Sequence, residues 1–312
     1  MAMTKQRDVW VREVGTRDGL QSIDTRFETD DKLEWIRGEA AAGVPEIEVG
    51  SFVPPKLLPQ MADTADVVRG SLAIEGLRTS VLVPNLRGAQ AGMESGAHQL
   101  NFPLSVSEAH SQANLRKSVG EAIDDLASVF AFRRDHAEFA GVRIGAGLAT
   151  AFGCTIAGPV PLVEVLQAAE KVIALGPDEI AVADTVGYGN PAQCRDIFRE
   201  ILAIAGEIPV AAHFHDTRGL GLANVDAALD VGVRRFDASL GGLGGCPYAP
   251  GASGNVVTDD LVFMLEAMGL GTGIDLDRLI ETRRFMESCL RGEPTFGAIA
   301  NAGLPKGFAV VR

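Results

Sequence analysis

The sequence predicts an α/β fold of the (β/α)8 TIM-barrel class. Three observations carry that expectation. Eight short apolar runs of strand length recur along the 312 residues, a helix-like segment follows each run, and glycine separates most helices from the next run. The first strand, 9–14, is followed by a helix over 30–42 with the turn residue Thr29 before it and Gly43 after it. Strand 46–52 leads through Pro59 to a helix over 60–72, with Gly76 beyond it. Strand 79–83 pairs with helix 86–95 and Gly96, and strand 99–104 with helix 115–139 and Gly141. Strand 142–150 precedes helix 161–175 and Gly176; strand 179–183 precedes Gly189-Asn190 and helix 191–205, closed by Gly206. Strand 209–215 with helix 220–231 and Gly232, then strand 235–240 with helix 255–268, complete the series. A doubly wound open sheet is the competing architecture. It calls for a Gly-rich dinucleotide loop after the first strand, and Gly15-Thr16-Arg17-Asp18-Gly19 is not one. The chain therefore reads as one catalytic domain over 1–312. Residues 271–312 form a C-terminal extension, whose charged helical stretch 275–291 packs beside the barrel or across its mouth.

Composition narrows the function. Hydrophobic content of 46% with 36 glycines suits a large buried core with many turns. A net charge of −13 argues against nucleic acid and anionic membrane as main partners, while leaving room for a local basic pocket. Cys154, Cys194, Cys246 and Cys289 form no CxxC pair and read as reduced thiols of a cytoplasmic protein, the first two and the last as small hydrophobes. The polar start, 1–9, reads as no signal peptide, and no apolar run reaches the length of a membrane span.

In a barrel of this class, chemistry gathers at the C-terminal ends of the strands. Strand one ends in Arg17-Asp18. Strand two carries Glu46, Glu48 and Ser51, with Lys56 in the loop beyond. Strand four leads into Ser105, Ser107, Glu108 and His110, strand five to Thr150 and Cys154, and strand six to Asp184-Thr185. Strand seven supplies His213, His215 and Asp216, and strand eight runs into a glycine-rich loop and then Asn255. Polar groups thus concentrate where the fold places an active site.

His213 and His215 are the most informative pair. Side chains alternate along a strand, so both imidazoles project to the same side. The chain has only five histidines, which makes a chance pairing less expected. With the carboxylate of Asp18 and the amide oxygen of Asn255 they form a mixed N/O donor set. Such a set, completed by water, suits Mg²⁺ or Mn²⁺ better than structural Zn²⁺, and its open positions admit a chelating substrate oxygen. Glu46 and Glu48 also alternate, so both can face the barrel interior, Glu46 as a salt-bridge candidate.

The stretches Val11-Arg12-Glu13-Val14-Gly15-Thr16-Arg17-Asp18-Gly19-Leu20-Gln21, Glu48-Val49-Gly50-Ser51-Phe52-Val53, Gln60-Met61-Ala62-Asp63 and Ala183-Asp184-Thr185-Val186-Gly187 carry a resemblance, together with His213-Phe214-His215-Asp216-Thr217 and the run GGLGGCPYAPGASGN over 241–255. In order and spacing the chain resembles the 3-hydroxy-3-methylglutaryl-CoA lyases over about 9–273. These belong to the barrel-type metal-dependent lyases, with the isopropylmalate, homocitrate and citramalate synthases. The cysteine on the glycine loop resembles the lyases in particular.

The resemblance implies metal ligands Asp18, His213, His215 and Asn255, with Arg17 as the cation that steadies a thioester enolate. It implies Glu48 and Asp184 as acids that hold the site or move protons, and Cys246 as a participant in catalysis. The expected reaction is a retro-Claisen cleavage of 3-hydroxy-3-methylglutaryl-CoA to acetoacetate and acetyl-CoA. His213 or a nearby acid takes the hydroxyl proton. Lys56 and Arg87 are candidate contacts for the CoA phosphates, and His110 a candidate substrate contact. The glycines of 241–254 permit positive φ, and this loop is expected to close over substrate with Cys246. A homo-oligomer, dimer or higher, is the expected assembly. The alternatives are a lyase for a related 3-hydroxy-3-alkylglutaryl-CoA or citramalyl-CoA, and a Claisen-condensing synthase of the same superfamily. The match is weaker over 99–158, whose loops should touch the acyl group.

Overall fold

Alternation along each strand sorts side chains into two populations before any long-range contact forms. In β1 (Trp10–Glu13) Val11 is fully buried towards the helices, while Arg12 reaches Glu46, Glu179 and Asp237 across the barrel axis. The same division repeats in β2 (Glu46–Ser51), β3 (Arg78–Leu82), β4 (Gln99–Ser105), β5 (Arg143–Ala149), β6 (Glu179–Asp184), β7 (Val210–Phe214) and β8 (Arg235–Ala238). The computed structural model describes residues 7–244 and 254–308. Among these, the eight strands pair in parallel in chain order, and β8 closes on β1 with Trp10 opposite Arg235. The predicted TIM barrel is therefore the fold. A register shift against β3 between Glu48 and Gly50 bends β2 near its C-terminal end.

Helices cover the outer faces: α1 (Thr29–Ala42), α2 (Thr64–Ser71), α3 (Leu86–Glu94), α5 (Val119–Asp135), α6 (Leu162–Ile173), α7 (Pro191–Ala205), α8 (Gly221–Asp230) and α9 (Thr258–Ala267), while α4 (Glu108–Leu115) sits at the cavity mouth. Their starts are chemically marked. Asn85 accepts from Gly88 N at 2.9 Å, and Asn190 accepts from Ala192 N and Gln193 N ahead of Pro191. Gly43 ends α1 with φ +103, and a Cβ there would meet Gly273 O at 2.4 Å.

Three boundaries differ from expectation. The helix expected over 115–139 starts later, at Val119, as α5 and ends at Asp135. A separate short helix not expected from the sequence, α4, precedes it over Glu108–Leu115. Arg116 takes φ +57 after α4, and a Ser118–Glu121 capping box restarts the chain as α5. The helix expected from residue 60 opens as a 3-10 turn, Pro59–Met61, before α2. The last barrel helix begins at Thr258 rather than at Asn255, because Asn255–Val257 runs extended between the ends of β7 and β8. The C-terminal stretch forms α10 (Leu276–Cys289), which packs beside the barrel against α1 and α9. Arg283 on α10 forms a buried pair with Asp259, and beyond it Phe296 N donates to Gly241 O at 2.8 Å. Among the described residues no helix is long and apolar enough to cross a membrane.

Behind the paired histidines, Phe214 points outward and meets Phe152 and Phe198 with ring centroids 5.8 and 5.9 Å away. This aromatic trio backs β7. Phe214→Ala is expected to cost about 3–5 kcal/mol of stability, read as a lowered midpoint in chemical denaturation, and to loosen His213 and His215 on either side of it.

Candidate active site and metal centre

Small residues inside the barrel create the space for chemistry. Gly145 and Gly147 of β5 and Ala181 and Ala183 of β6 face a cavity of about 720 Å³ at the C-terminal mouth. Polar side chains line its opposite wall, among them Arg17, Asp18, Glu48, Asn101, His213, His215 and Asp237.

Arg17 and Asp18 reach this wall through a one-turn π-helix, Gly15–Gly19, in which Asp18 N and Gly19 N both donate to Val14 O. Such a turn winds one residue wider than an α-helix and is common at functional sites. Asp18 Oδ2 lies 3.8 Å from His215 Nε2 and 3.9 Å from His213 Nε2, and the two Nε2 atoms are 3.1 Å apart. These are the three side chains of the described residues whose donor atoms cluster closely enough to hold a metal ion. A point equidistant from atoms with edges of 3.1, 3.8 and 3.9 Å lies about 2.1 Å from each, the bond length of a hard divalent ion with such ligands.

A ligand set needs neutral imidazole and ionised carboxylate. Two of the three clustered groups, His215 and Asp18, are shifted that way, while His213 is shifted toward its charged form. Burial and the neighbouring His213 push His215 down to about 4. Burial disfavours the Asp18 carboxylate, but Arg17, both histidines and Asn255 outweigh it and hold its pKa at about 2. Burial also works against a charged His213. There the hydrogen bond and charge of Asp237 prevail, with help from Asp18, and raise its pKa.

Asn255 completes the group from a third direction. It bridges to His215 as an antiparallel pair, and its Nδ2 donates to Asp18 Oδ2 at 2.7 Å and to Leu243 O at 3.1 Å. Its Oδ1 is buried with no hydrogen-bond partner among the described residues. An orphaned buried acceptor is costly, and a cation beside it would satisfy it. Gly254 makes this approach feasible: at φ +75, a Cβ would stand 1.9 Å from Gly242 O. The residues present therefore fit a divalent metal ion.

Glu48 holds Arg17 in place. Arg17 Nε is paired with Glu48 Oε2 and Nη1 with Asp18 Oδ1, leaving Nη2 outside both ion pairs. Asn101 Nδ2 donates to the other Glu48 oxygen at 2.7 Å. Glu46 lies deeper, among Arg12, Arg78 and Arg235, as a salt-bridge residue of the barrel floor.

Asp184 stands apart from this wall. It is fully buried, faces away from the axis, and accepts from Tyr188 N at 2.8 Å and Gly189 N at 2.9 Å. It thus holds the loop after β6, and its position suits holding the site rather than moving protons within the cavity. Lys56 and Arg87 are exposed, and neither is among the residues that line the cavity. Val53, Pro54, Leu57 and Pro84 from the neighbouring loops line the cavity mouth instead, and both cations are left to solvent. Lys117 does line the cavity, paired with Asp125. His110 lines it as well. It is buried, its Nδ1 pairs with Ser105 Oγ at 2.7 Å, and burial lowers its pKa. Cys246, and the loop closure proposed with it, fall outside the described residues. Cys154 and Cys194 are buried free thiols, and Cys289 is half-buried and free.

An HMGL-like family model matches residues 9–286. The chain belongs to the HMGL-like family. Among its relatives, hydroxymethylglutaryl-CoA lyase YngG of Bacillus subtilis is 39% identical over 292 residues, covering 94% of this chain and 96% of that protein. The 3-hydroxy-3-isohexenylglutaryl-CoA/hydroxymethylglutaryl-CoA lyase of Pseudomonas aeruginosa is 38% identical, covering 89% and 92%. Among solved structures, an HMG-CoA lyase from Acinetobacter baumannii in complex with coenzyme A and 3-methylmalate superposes with a TM-score of 0.90. It is 39% identical, with 100% of both chains covered.

Sequence reasoning missed several residues of this HMGL-like site. Arg12, Glu179 and Asp237 were not singled out, although each sits at an inward position of its strand. Glu13 was missed too. It points outward from β1 and accepts from Gly15 N, Leu240 N and Thr258 Oγ1, tying the Arg17–Asp18 turn to the segments after β8. Burial pushes its pKa up to about 7 despite these three donors. Alternation marks Arg12 and Asp237 as inward, but no local pattern gives their partners.

Proposed function

We infer that this protein is a divalent-metal-dependent carbon–carbon lyase that cleaves 3-hydroxy-3-methylglutaryl-CoA to acetoacetate and acetyl-CoA. The observation that carries this reading is the convergence of Asp18, His213 and His215 in one cavity wall, with Arg17 beside them. The lyase activities for which the relatives are named support the choice of substrate.

Asp18, His213, His215 and Asn255 would hold Mg²⁺ or Mn²⁺, and the ion supplies Lewis acidity to substrate oxygens. The tertiary hydroxyl loses its proton to a base, for which His213 and a neighbouring acid are the candidates. The C–C bond then breaks. Its electron pair passes to the α-carbon of the thioester as an enolate, and the former carbinol carbon becomes the ketone of acetoacetate. Arg17, oriented by Glu48, faces the thioester oxygen where negative charge grows. A proton delivered to the enolate carbon completes acetyl-CoA, and Cys246 acts in this half of the reaction. Asp184 steadies the loop after β6. Lys56, exposed on the loop after β2, and Arg87, exposed in the first turn of α3, would meet CoA phosphates outside the cavity. The reading includes a homo-oligomer and a cytoplasmic location, the latter in keeping with three free thiols among the described residues.

With Mg²⁺ or Mn²⁺ and 3-hydroxy-3-methylglutaryl-CoA, acetoacetate and acetyl-CoA should form in equal amounts. Chelation by EDTA should stop the reaction and added metal restore it. Absence of both products with metal present would sink this function. A panel of 3-hydroxy-3-alkylglutaryl-CoA and citramalyl-CoA substrates should give its highest kcat/KM with the methylglutaryl compound. Cys246→Ala should lower kcat by orders of magnitude with little change in substrate binding; wild-type kcat in that variant would remove the cysteine from the mechanism.

A further inference from the structure

We propose that Arg12 and Asp237 are positioning residues that fix the tautomer and aim of His213, so that its Nε2 lone pair faces the metal position. The inference rests on the metal reading above and assigns no step of the reaction to either residue.

Asp237 stands on β8 opposite His213 of β7, in register. Its Oδ2 is 3.1 Å from His213 Nδ1. A carboxylate only accepts, so this bond puts a hydrogen on Nδ1. In the neutral ring that leaves Nε2 bare, and Nε2 is the nitrogen that meets Asp18 and His215. A carboxylate behind a ligating histidine is the usual way to hold ring orientation and raise ligand basicity.

A carboxylate can do this only if it cannot rotate. Arg12 supplies the restraint. Its Nε lies 2.8 Å from Asp237 Oδ1 and its Nη2 lies 3.0 Å from Oδ2, a bidentate fork that sets the carboxylate plane. The guanidinium is itself held from the other side, by Glu179 at 2.7 Å and Glu46 at 3.2 Å from Nη1. The side chains of Arg12 and Asp237 are only 5% and 7% exposed, so water competes little for these bonds. The chain of contacts runs from the barrel floor through Arg12 and Asp237 to Nδ1 of His213. A lysine could neutralise the acids but could not form the fork.

The competing account is that Arg12 and Asp237 only neutralise charge in the barrel floor. It predicts lost stability with metal affinity per folded molecule unchanged. Mn²⁺ binding is therefore counted directly, by the electron paramagnetic resonance of free Mn²⁺, for wild type, Asp237→Asn, Arg12→Lys and Arg12→Met. The His213 tautomer is read separately, by ¹⁵N-edited NMR of the metal-free protein at alkaline pH. We expect the Nδ1–H form in wild type. Asp237→Asn should weaken Mn²⁺ about 10- to 100-fold and populate the Nε2–H form, since the Asn amide can donate to Nδ1. Arg12→Lys, which keeps the charge, should give a smaller loss in the same direction, so the test does not depend on Arg12→Met folding. Wild-type Mn²⁺ affinity and an unchanged tautomer in Asp237→Asn would overturn the proposal. A wild type that binds no Mn²⁺ would overturn the metal reading, and the tautomer measurement would still decide whether Asp237 orients His213.

Discussion

Asp18→Asn and His213→Ala should each abolish turnover and lose tight metal binding. The three clustered donors are one carboxylate and two imidazoles, so each variant removes a third of them. Asp18→Asn also removes the negative charge that Arg17 and the two histidines surround. Lewis-acid stabilisation of developing charge contributes several kcal/mol. Its loss corresponds to a rate decrease of at least about 10³, since each 1.4 kcal/mol is roughly tenfold. Isothermal titration with Mn²⁺ and steady-state kinetics over a wide metal range are the two measurements. Excess metal should rescue neither variant fully, because the remaining donors leave the ion misplaced. Wild-type turnover in His213→Ala at saturating metal would remove this histidine from the site.

Arg17→Gln should lower kcat far more than it raises KM. Arg17 is buried, and two of its nitrogens are committed to Glu48 and Asp18. Those bonds fix the guanidinium plane and set where Nη2 points, which is the preorganisation that makes a charge effective against a growing oxyanion. Burial disfavours its cation, but Asp18 and Glu48 more than restore it and raise its pKa, so it stays charged. Removing one preorganised donor costs roughly 3–4 kcal/mol, or about 10²–10³ in rate. An interaction made only in the transition state acts on kcat. Arg17→Lys should be poor as well, because an ammonium cannot satisfy Glu48 and Asp18 together while presenting a third nitrogen. Kinetics at saturating Mg²⁺, with metal titration alongside, separate two roles. A loss explained wholly by weaker metal binding would make Arg17 a support for Asp18. Wild-type kcat in Arg17→Gln would end the proposal altogether.

The fold was largely legible because its signals are local. Eight runs with period-two alternation, helix caps such as Asn190, and glycines such as Gly43 all act within a few residues of their own position. The errors are instructive on the same ground. The start of α5 at Val119 rather than at Leu115 depends on Arg116 entering the left-handed region after α4 and on Ser118 capping the next helix. The late start of α9 has no local sign. Asn255–Val257 is extended because the ends of β7 and β8 need a partner there.

By itself the sequence determined the barrel class, the alternation that sends His213 and His215 to one side, and the strand ends where Arg17 and Asp18 would lie. Only the tertiary structure decided which of these groups meet. The pairing of Asp237 with His213 and Arg12 joins strands one, seven and eight, separated by 24 and 225 residues along the chain. The bond from Asn255 to Asp18 spans 237 residues. The physical reason is that side-chain direction is set by backbone geometry over one or two residues. Contact across a barrel is set by closure, register and the space left by Gly145, Gly147, Ala181 and Ala183, none of which any single strand encodes.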